Sequence, residues 1–199
     1  MCLLIETIRI ENGLPSLLEF HQERMTHAQK NLLDLKEPVN LVEYLASQTL
    51  PKSGVWKCRI TYQKDIEKIE FEPYYMKQIQ SLKIVEANDF IYDYKFAKRE
   101  GIIKLFNQRG NADDILIIRN SLITDTSYCN VALWDGSNWF TPLLPLLKGV
   151  RRESLIRLKQ IQAKDISVTD LKSFESIKLF NAMISFEEAI EIPISAIIF

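Results

Sequence analysis

Three short segments of this 199-residue sequence carry residue types that could hold or transform a small anionic molecule. Lys95 lies between two aromatic residues, where a predicted strand ends and a helix is about to begin. Asp125 follows a strand–turn–strand corner, and Gly149 lies in the basic segment 147–152, just before a predicted helix. Backbone N–H groups at a helix start bind phosphate when a glycine and a cation are close by. Taken singly, each residue also has an ordinary structural role: a surface lysine, a turn carboxylate and a solvated helix start.

Other common catalytic and binding arrangements have little support in the sequence. The three cysteines are widely spaced, and the two histidines, His21 and His27, lie in one predicted helix. Because structural zinc needs four closely organised ligands and a catalytic triad needs a well-placed histidine, we predict neither a metal site nor a triad. The usual Gly-rich nucleotide motifs are absent as well.

The composition is that of an ordinary globular protein, with 47% hydrophobic and 26% charged residues. A formal net charge of -1 gives no bulk attraction to nucleic acid or to an anionic membrane, so we expect neither as a partner. The sequence has no apolar run of about 18 residues, the length that spans a bilayer. The N-terminal segment reaches Glu6 too early for a secretory leader, so we expect a cytoplasmic protein.

Hydrophobic periodicity predicts the elements that must position these residues. In the first half it indicates a strand, two helices, a hairpin that turns at Lys64-Asp65 and a further strand: residues 4–10, 17–33, 41–47, 58–71 and 82–85. The second half begins with a helix that carries Ile102, Leu105 and Phe106 and ends at Gly110. It continues with strands at 114–119, 122–124 and 130–134, a helix at 153–161, and strands at 177–180 and 192–198. Strands and helices alternate without a regular βαβ rhythm, which predicts a mixed α/β fold in two lobes, residues 1–90 and 91–199.

Six segments of the second half resemble, in order and spacing, those of the class IV aminotransferase family of pyridoxal-phosphate enzymes. These segments are the lysine segment 94–100, the strand 112–116, the "T-E-x-x-x-x-N" segment 122–130, the Thr-Pro at 139–142, the "L-P-G-I-T-R" loop at 147–152 and the "C-N-A-L-M" segment at 180–183. In the first half, residues 5–9 and 20–25 resemble "F-E-T-I-R" and "H-x-x-R-L". The family includes branched-chain aminotransferases, D-amino-acid aminotransferases and aminodeoxychorismate lyases. The resemblance implies the two-lobed fold of the fold-type IV enzymes, similar to D-amino-acid aminotransferase.

The resemblance also implies roles for individual residues around pyridoxal 5′-phosphate. Lys95 would form the Schiff base with the cofactor and later move protons at the substrate. Asp125 would face the ring nitrogen, and Arg99 would contact a substrate carboxylate. The phosphate would be held by Arg24, Gly149, Val150 and Arg151, with Asn181 and Ala182 at its edge.

The segment 181–183 and the position of Arg99, four residues after the lysine, favour an aminodeoxychorismate-lyase-like enzyme that eliminates pyruvate to give 4-aminobenzoate. An aminotransferase that acts on a small amino acid and a 2-oxo acid is the alternative, because the cofactor machinery is shared. A cofactor-binding family member without turnover is a further alternative, and chance matches in an unrelated α/β interaction domain are another. By resemblance, the substrate is a small amino-acid-like molecule and the protein is a homodimer.

Four features depart from the family pattern. Asp125 stands in place of Glu and is one methylene shorter. Arg151 replaces Thr, so a hydroxyl contact to phosphate is lost, and Lys98 stands where the lyases have Asn. The chain also begins almost at its first "E-T-I-R" strand, so we expect a shortened N-terminal lobe that lacks a preceding hairpin.

Overall fold

The computed structural model describes residues 3–199, which divide into two compact units. Unit 1 comprises residues 3–76 together with Tyr94–Lys98, and unit 2 comprises Lys77–Asp93 together with Arg99–Phe199. The short segment that contains Lys95 therefore belongs to the same unit as the N-terminal strand and helix.

Unit 1 is built on a four-stranded antiparallel sheet in the order β2-β1-β3-β4. Its elements are β1 (Leu4–Glu11), β2 (Leu14–Pro15), α1 (Leu18–Asn31), α2 (Leu41–Ala46), β3 (Val55–Tyr62) and β4 (Ile66–Pro73). Ile8 of β1 and Ile60 of β3 are fully buried and pack with Met25 of α1 in one core. Burial of these side chains drives the sheet and helix together.

The segment around Lys95 is fixed to the beginning of β1 by backbone hydrogen bonds. The N–H of Ile5 donates to the carbonyl of Lys95 over 2.9 Å, and the N–H of Ala97 donates to the carbonyl of Leu3 over 2.8 Å. Phe96, next to Lys95, packs against the core of unit 1. The backbone position of Lys95 is thus set by a strand rather than by a free loop.

Unit 2 contains a nine-stranded mixed sheet. Its main path runs β10-β9-β8-β7-β6-β5-β13, while β11 pairs with β8 and β12. The strands are β5 (Leu82–Glu86), β6 (Asp114–Arg119), β7 (Leu122–Thr126), β8 (Asn130–Trp134), β9 (Trp139–Pro142), β10 (Gln162–Lys164), β11 (Ser176–Phe180), β12 (Ile190–Pro193) and β13 (Ile197–Ile198). Two helices, α3 (Glu100–Phe106) and α4 (Val150–Arg157), and short 3₁₀ turns complete the unit.

The predicted mixed α/β class is confirmed, and so are most of the predicted elements. The apolar run of β6, Ile115 to Ile118, is buried throughout, as expected for a strand covered on both faces. Two predictions were wrong. The helix predicted at 153–161 is α4, Val150–Arg157, because Gly149 is an extended N-cap and Lys159 turns the chain with a φ of 58°. The strand predicted at 192–198 is two strands, since β12 pairs with β11 and β13 pairs with β5, with the 3₁₀ turn Ile194–Ala196 between them.

Candidate functional site

A buried carboxylate organises the polar centre of unit 1. Glu6 of β1 has no exposed surface, and its Oε1 and Oε2 accept hydrogen bonds from Nε and Nη2 of Arg24 over 2.9 and 2.6 Å. His21, also fully buried, lies with Nδ1 2.5 Å from Oε2 of Glu6. Because His21 and Arg24 are three residues apart on α1, one face of the helix presents both groups to the strand. A bidentate carboxylate fixes the plane of the Arg24 guanidinium.

The charges of this cluster follow from burial and pairing. Burial alone would raise the pKa of Glu6, but Arg24 and His21 outweigh it and lower the pKa from 4.5 to about 2. Burial lowers the pKa of His21, although Glu6 opposes this shift. The cluster therefore holds an ionised Glu6, a charged Arg24 and a neutral imidazole whose Nδ1–H donates to the carboxylate.

Lys95 is close enough to this cluster for its charge to contribute to the lowered pKa of His21. Its side chain is half-buried, whereas Lys98, three residues on, is exposed. Unit 1 thus brings Lys95, the predicted cofactor lysine, and Arg24, the predicted phosphate-binding arginine, close to the buried Glu6 and His21. Sequence reasoning gave no role to Glu6 or His21, although both lie in the two motifs that carry the resemblance in the first half.

Unit 2 contains the second polar centre, around Asp125 at the end of β7. Its Oδ1 accepts a hydrogen bond from the Asn130 side-chain amide over 2.7 Å, and its Oδ2 accepts one from the backbone N–H of Leu147 over 2.9 Å. The same Asn130 amide donates to the carbonyl of Leu147 over 2.9 Å. Burial raises the pKa of Asp125 from 3.8 to about 6, against the lowering effect of these donors. The structure therefore brings two sequence-predicted features together, Asp125 and the loop that leads to Gly149.

Gly149 is the N-cap of α4, with φ −70° and ψ 140°. A Cβ at this position would overlap with Oδ1 of Asn130, so only glycine leaves the space that the loop needs. The first-turn N–H groups of Val150 and Arg151 follow directly, and such groups attract anions because a helix start carries partial positive charge. A glycine cradle with a half-buried arginine at the second helical position fits a phosphate group.

The remaining predicted residues of unit 2 meet at the loop between β7 and β8. Nη2 of Arg99 donates to the carbonyl of Ser127 over 2.5 Å, and Nδ2 of Asn181 donates to the carbonyl of Tyr128 over 3.3 Å. Oδ1 of Asn181 accepts the N–H of Met183 over 2.8 Å, which turns the chain at the half-buried Ala182. Arg99 and Asn181 lie far apart in the sequence, but both contact the loop between β7 and β8.

Within residues 3–199, no group of three or more His, Cys, Asp and Glu side chains is arranged to hold a metal ion. In the same range, no helix is both long enough and apolar enough to cross a membrane.

Comparison with known proteins gives matches over almost the whole chain. Residues 3–187 match the family model of amino-transferase class IV. An uncharacterised protein of Haemophilus influenzae is 34% identical over 183 residues, which cover 90% of this chain and 97% of that protein. The crystal structure of a candidate 4-amino-4-deoxychorismate lyase from Haemophilus somnus matches with a TM-score of 0.86 and 33% identity, over 92% of this chain and 97% of that chain. An aminotransferase from Brucella abortus bound to PLP shares the fold, with a TM-score of 0.70 at 16% identity over 96% of this chain and 80% of that chain.

Proposed function

This chain belongs to the amino-transferase class IV family, and we propose that it is a pyridoxal-phosphate enzyme that eliminates pyruvate from 4-amino-4-deoxychorismate to give 4-aminobenzoate. The main support for the cofactor is the start of α4 at Gly149, where the preceding loop is hydrogen-bonded to Asp125 through the N–H of Leu147. The choice of reaction is supported by the similarity to the Haemophilus somnus protein, at 33% identity over nearly the full length of both chains.

Each unit, taken by itself, offers groups that suit a phosphate. Arg24 offers a guanidinium whose plane Glu6 already fixes, so little side-chain freedom is lost on binding. The N–H groups of Val150 and Arg151 offer a helix start that complements a dianion. Pyridoxal phosphate, when bound, supplies an electron sink for the negative charge that develops at the amine-bearing carbon of the substrate.

Lys95 would carry both the covalent and the proton-transfer work of this chain. Its amine would hold the cofactor at the aldehyde carbon and, once released, would remove the proton from the amine-bearing carbon of the substrate. The bond between the ring carbon and the enolpyruvyl oxygen would then break, which makes the ring aromatic. A proton delivered to the methylene carbon of the departing enolate would complete pyruvate. Arg99, anchored at the carbonyl of Ser127, would face a carboxylate of the substrate.

The covalent role of Lys95 is tested by spectroscopy and peptide mapping. We expect the purified protein to show visible absorbance with pyridoxal phosphate, and borohydride reduction to leave the label on the peptide that contains Lys95. Lys95→Ala should lose the label and all turnover, whereas Lys98→Ala, a nearby exposed lysine, should keep both. A label that maps to another lysine would overturn the assignment.

The choice of reaction is tested by the need for an amino acceptor. A lyase forms 4-aminobenzoate and pyruvate from 4-amino-4-deoxychorismate without any added 2-oxo acid. If amino-group transfer occurs only with pyruvate or 2-oxoglutarate as acceptor, and no 4-aminobenzoate forms without it, the protein is an aminotransferase. A bound chromophore with no reaction on either assay would identify a family member without turnover.

A further inference from the structure

We propose that Asp125 and Asn130 are positioning residues that hold the helix start at Gly149 in the conformation that binds phosphate. This inference rests on the proposed function and extends it, because it gives Asp125 work that does not involve the cofactor ring. Both residues would act through Leu147, two positions before the glycine, rather than by touching the anion.

The first support is that Leu147 is held by both of its backbone polar groups. Its N–H donates to Oδ2 of Asp125 over 2.9 Å, and its carbonyl accepts from Nδ2 of Asn130 over 2.9 Å. A 2.7 Å hydrogen bond from Asn130 to Oδ1 of Asp125 joins the two side chains. The three bonds form a closed network, so Leu147 cannot shift without breaking at least one of them. Asp125 and Asn130 are both buried, which makes a lost partner costly.

The second support is the close approach of Gly149 to Asn130. Nδ2 of Asn130 donates to both Asp125 and Leu147, so the other atom of this amide, Oδ1, points toward Gly149. A Cβ added at Gly149 would overlap with that oxygen. The position of Asn130 therefore sets how near the loop can come and where the first N–H groups of α4 point. Displacement of a binding group by about 1 Å is enough to weaken a preorganised site.

The third support is that each oxygen of Asp125 already accepts a hydrogen bond from the protein. A contact to the cofactor ring alone would require neither of these bonds. The two roles can be separated with a probe that has a phosphate and no ring.

Binding of inorganic phosphate to the full-length chain, freed of cofactor and followed by calorimetry, provides that test. We expect Asp125→Asn and Asn130→Ala to weaken the affinity for inorganic phosphate at least tenfold. Asp135→Asn is the matched control, because Asp135 also accepts backbone N–H groups but lies in the exposed turn after β8, and its affinity should stay within twofold. If both variants bind inorganic phosphate like the original protein and lose only affinity for pyridoxal, the positioning role is overturned.

A second pair of variants tests the close approach without changing the carboxylate. Gly149→Ala should weaken phosphate binding in the original protein, but it should add little to Asn130→Ala, since the overlapping atom is gone. Gly101→Ala controls for crowding elsewhere in unit 2, because its Cβ would meet the ring of Phe90 at 2.5 Å, and it should leave phosphate affinity unchanged. Equal effects of Gly149→Ala with and without Asn130 would contradict the proposal.

The outcomes separate this inference from the proposed function. If phosphate binding responds as expected but neither lysine labelling nor product formation occurs, the proposed function falls and the positioning role stands. If 4-aminobenzoate forms but Asp125→Asn and Asn130→Ala leave phosphate affinity unchanged, the positioning role is overturned and the proposed function stands. Absence of phosphate binding by the original protein would overturn the positioning role as well.

Discussion

In each unit of this protein a buried carboxylate lies among the predicted binding residues, Glu6 in unit 1 and Asp125 in unit 2, and their pKa values are shifted in opposite directions. Glu6 in unit 1 shares its oxygens with a guanidinium and an imidazole, and its pKa is lowered to about 2. Asp125 in unit 2 is held by a side-chain amide and a backbone N–H, and its pKa is raised to about 6. Burial acts upward on both groups, so the difference lies in their partners.

The two neutral donors at Asp125 do not offset the rise in pKa that burial causes, whereas the bonded cation at Glu6 does. Arg152 lowers the pKa of Asp125 only through charge at a distance, and its own side chain donates to Glu153 and to the carbonyl of Pro142. Glu6 is therefore suited to fix a charged arginine at all ordinary pH values. The carboxylate of Asp125 can gain a proton, or a further hydrogen-bond donor, within the physiological pH range.

The largest expected effect comes from removing the cation beside Glu6. Arg24→Ala leaves a buried carboxylate with only a neutral imidazole, and breaking a buried pair in this way costs about 3–5 kcal/mol. We expect the free energy of unfolding, measured in urea near pH 7, to fall by that amount. The pKa of Glu6 should rise, because burial is then opposed by His21 alone.

The double variant Arg24→Ala with Glu6→Gln is the control for this prediction. It removes the charge together with its partner, so it should recover a substantial part of the lost stability. If the double variant is less stable than Arg24→Ala, the cost does not come from an uncompensated carboxylate.

The sequence revealed much of the fold because the elements of unit 1 have clear periods. The alternation through Cys58, Ile60 and Tyr62 predicts the hairpin of β3 and β4, and the spacing on α1 places His21 and Arg24 on one face. Both residues lie far from Glu6 in sequence, by 15 and 18 positions, and no local pattern marks that pairing. The resemblance to a family located the motifs but left the contacts within unit 1 unpredicted.

The partners of Asp125 were harder to predict for a different reason. Asn130 is only five positions away and belongs to the same motif, whereas Leu147 is 22 positions away and contributes a backbone N–H. Every residue except proline has that group, so no residue type indicates which one will be the donor. The one sequence signal was Gly149 itself, whose missing side chain admits the amide of Asn130.

The next prediction concerns the pH dependence of stability, which should have opposite signs for the two carboxylates. The lowered pKa of Glu6 stabilises the fold above about pH 4.5, and this stabilisation is lost as the pH falls through 2. Because the pKa of Asp125 is raised, this residue contributes stability to the fold below about pH 3.8. That contribution is lost as the pH rises through about 6. Each shift corresponds to roughly 3 kcal/mol of free energy.

The measurement compares each charge-removing variant with the original protein by urea unfolding across pH 2.5 to 7.5. The stability difference between the original protein and Asp125→Asn should shrink as the pH rises from 4 to 7, while the difference from Glu6→Gln should grow between pH 2.5 and 5. Two differences that move in the same direction would show that burial, and not the bonded cation, governs both carboxylates.

The smallest expected effect comes from an exposed carboxylate that also has a cationic partner. On β4, Glu70 lies 2.7 Å from Nζ of Lys68, and this hydrogen bond lowers the pKa of the carboxyl group. Both side chains are largely in solvent, where water and salt screen the pair. We expect Glu70→Gln to change the free energy of unfolding by less than the uncertainty of the urea extrapolation, at low and at high salt. A clear, salt-dependent loss would contradict this prediction, because it would show that a bonded cation stabilises a carboxylate here even without burial.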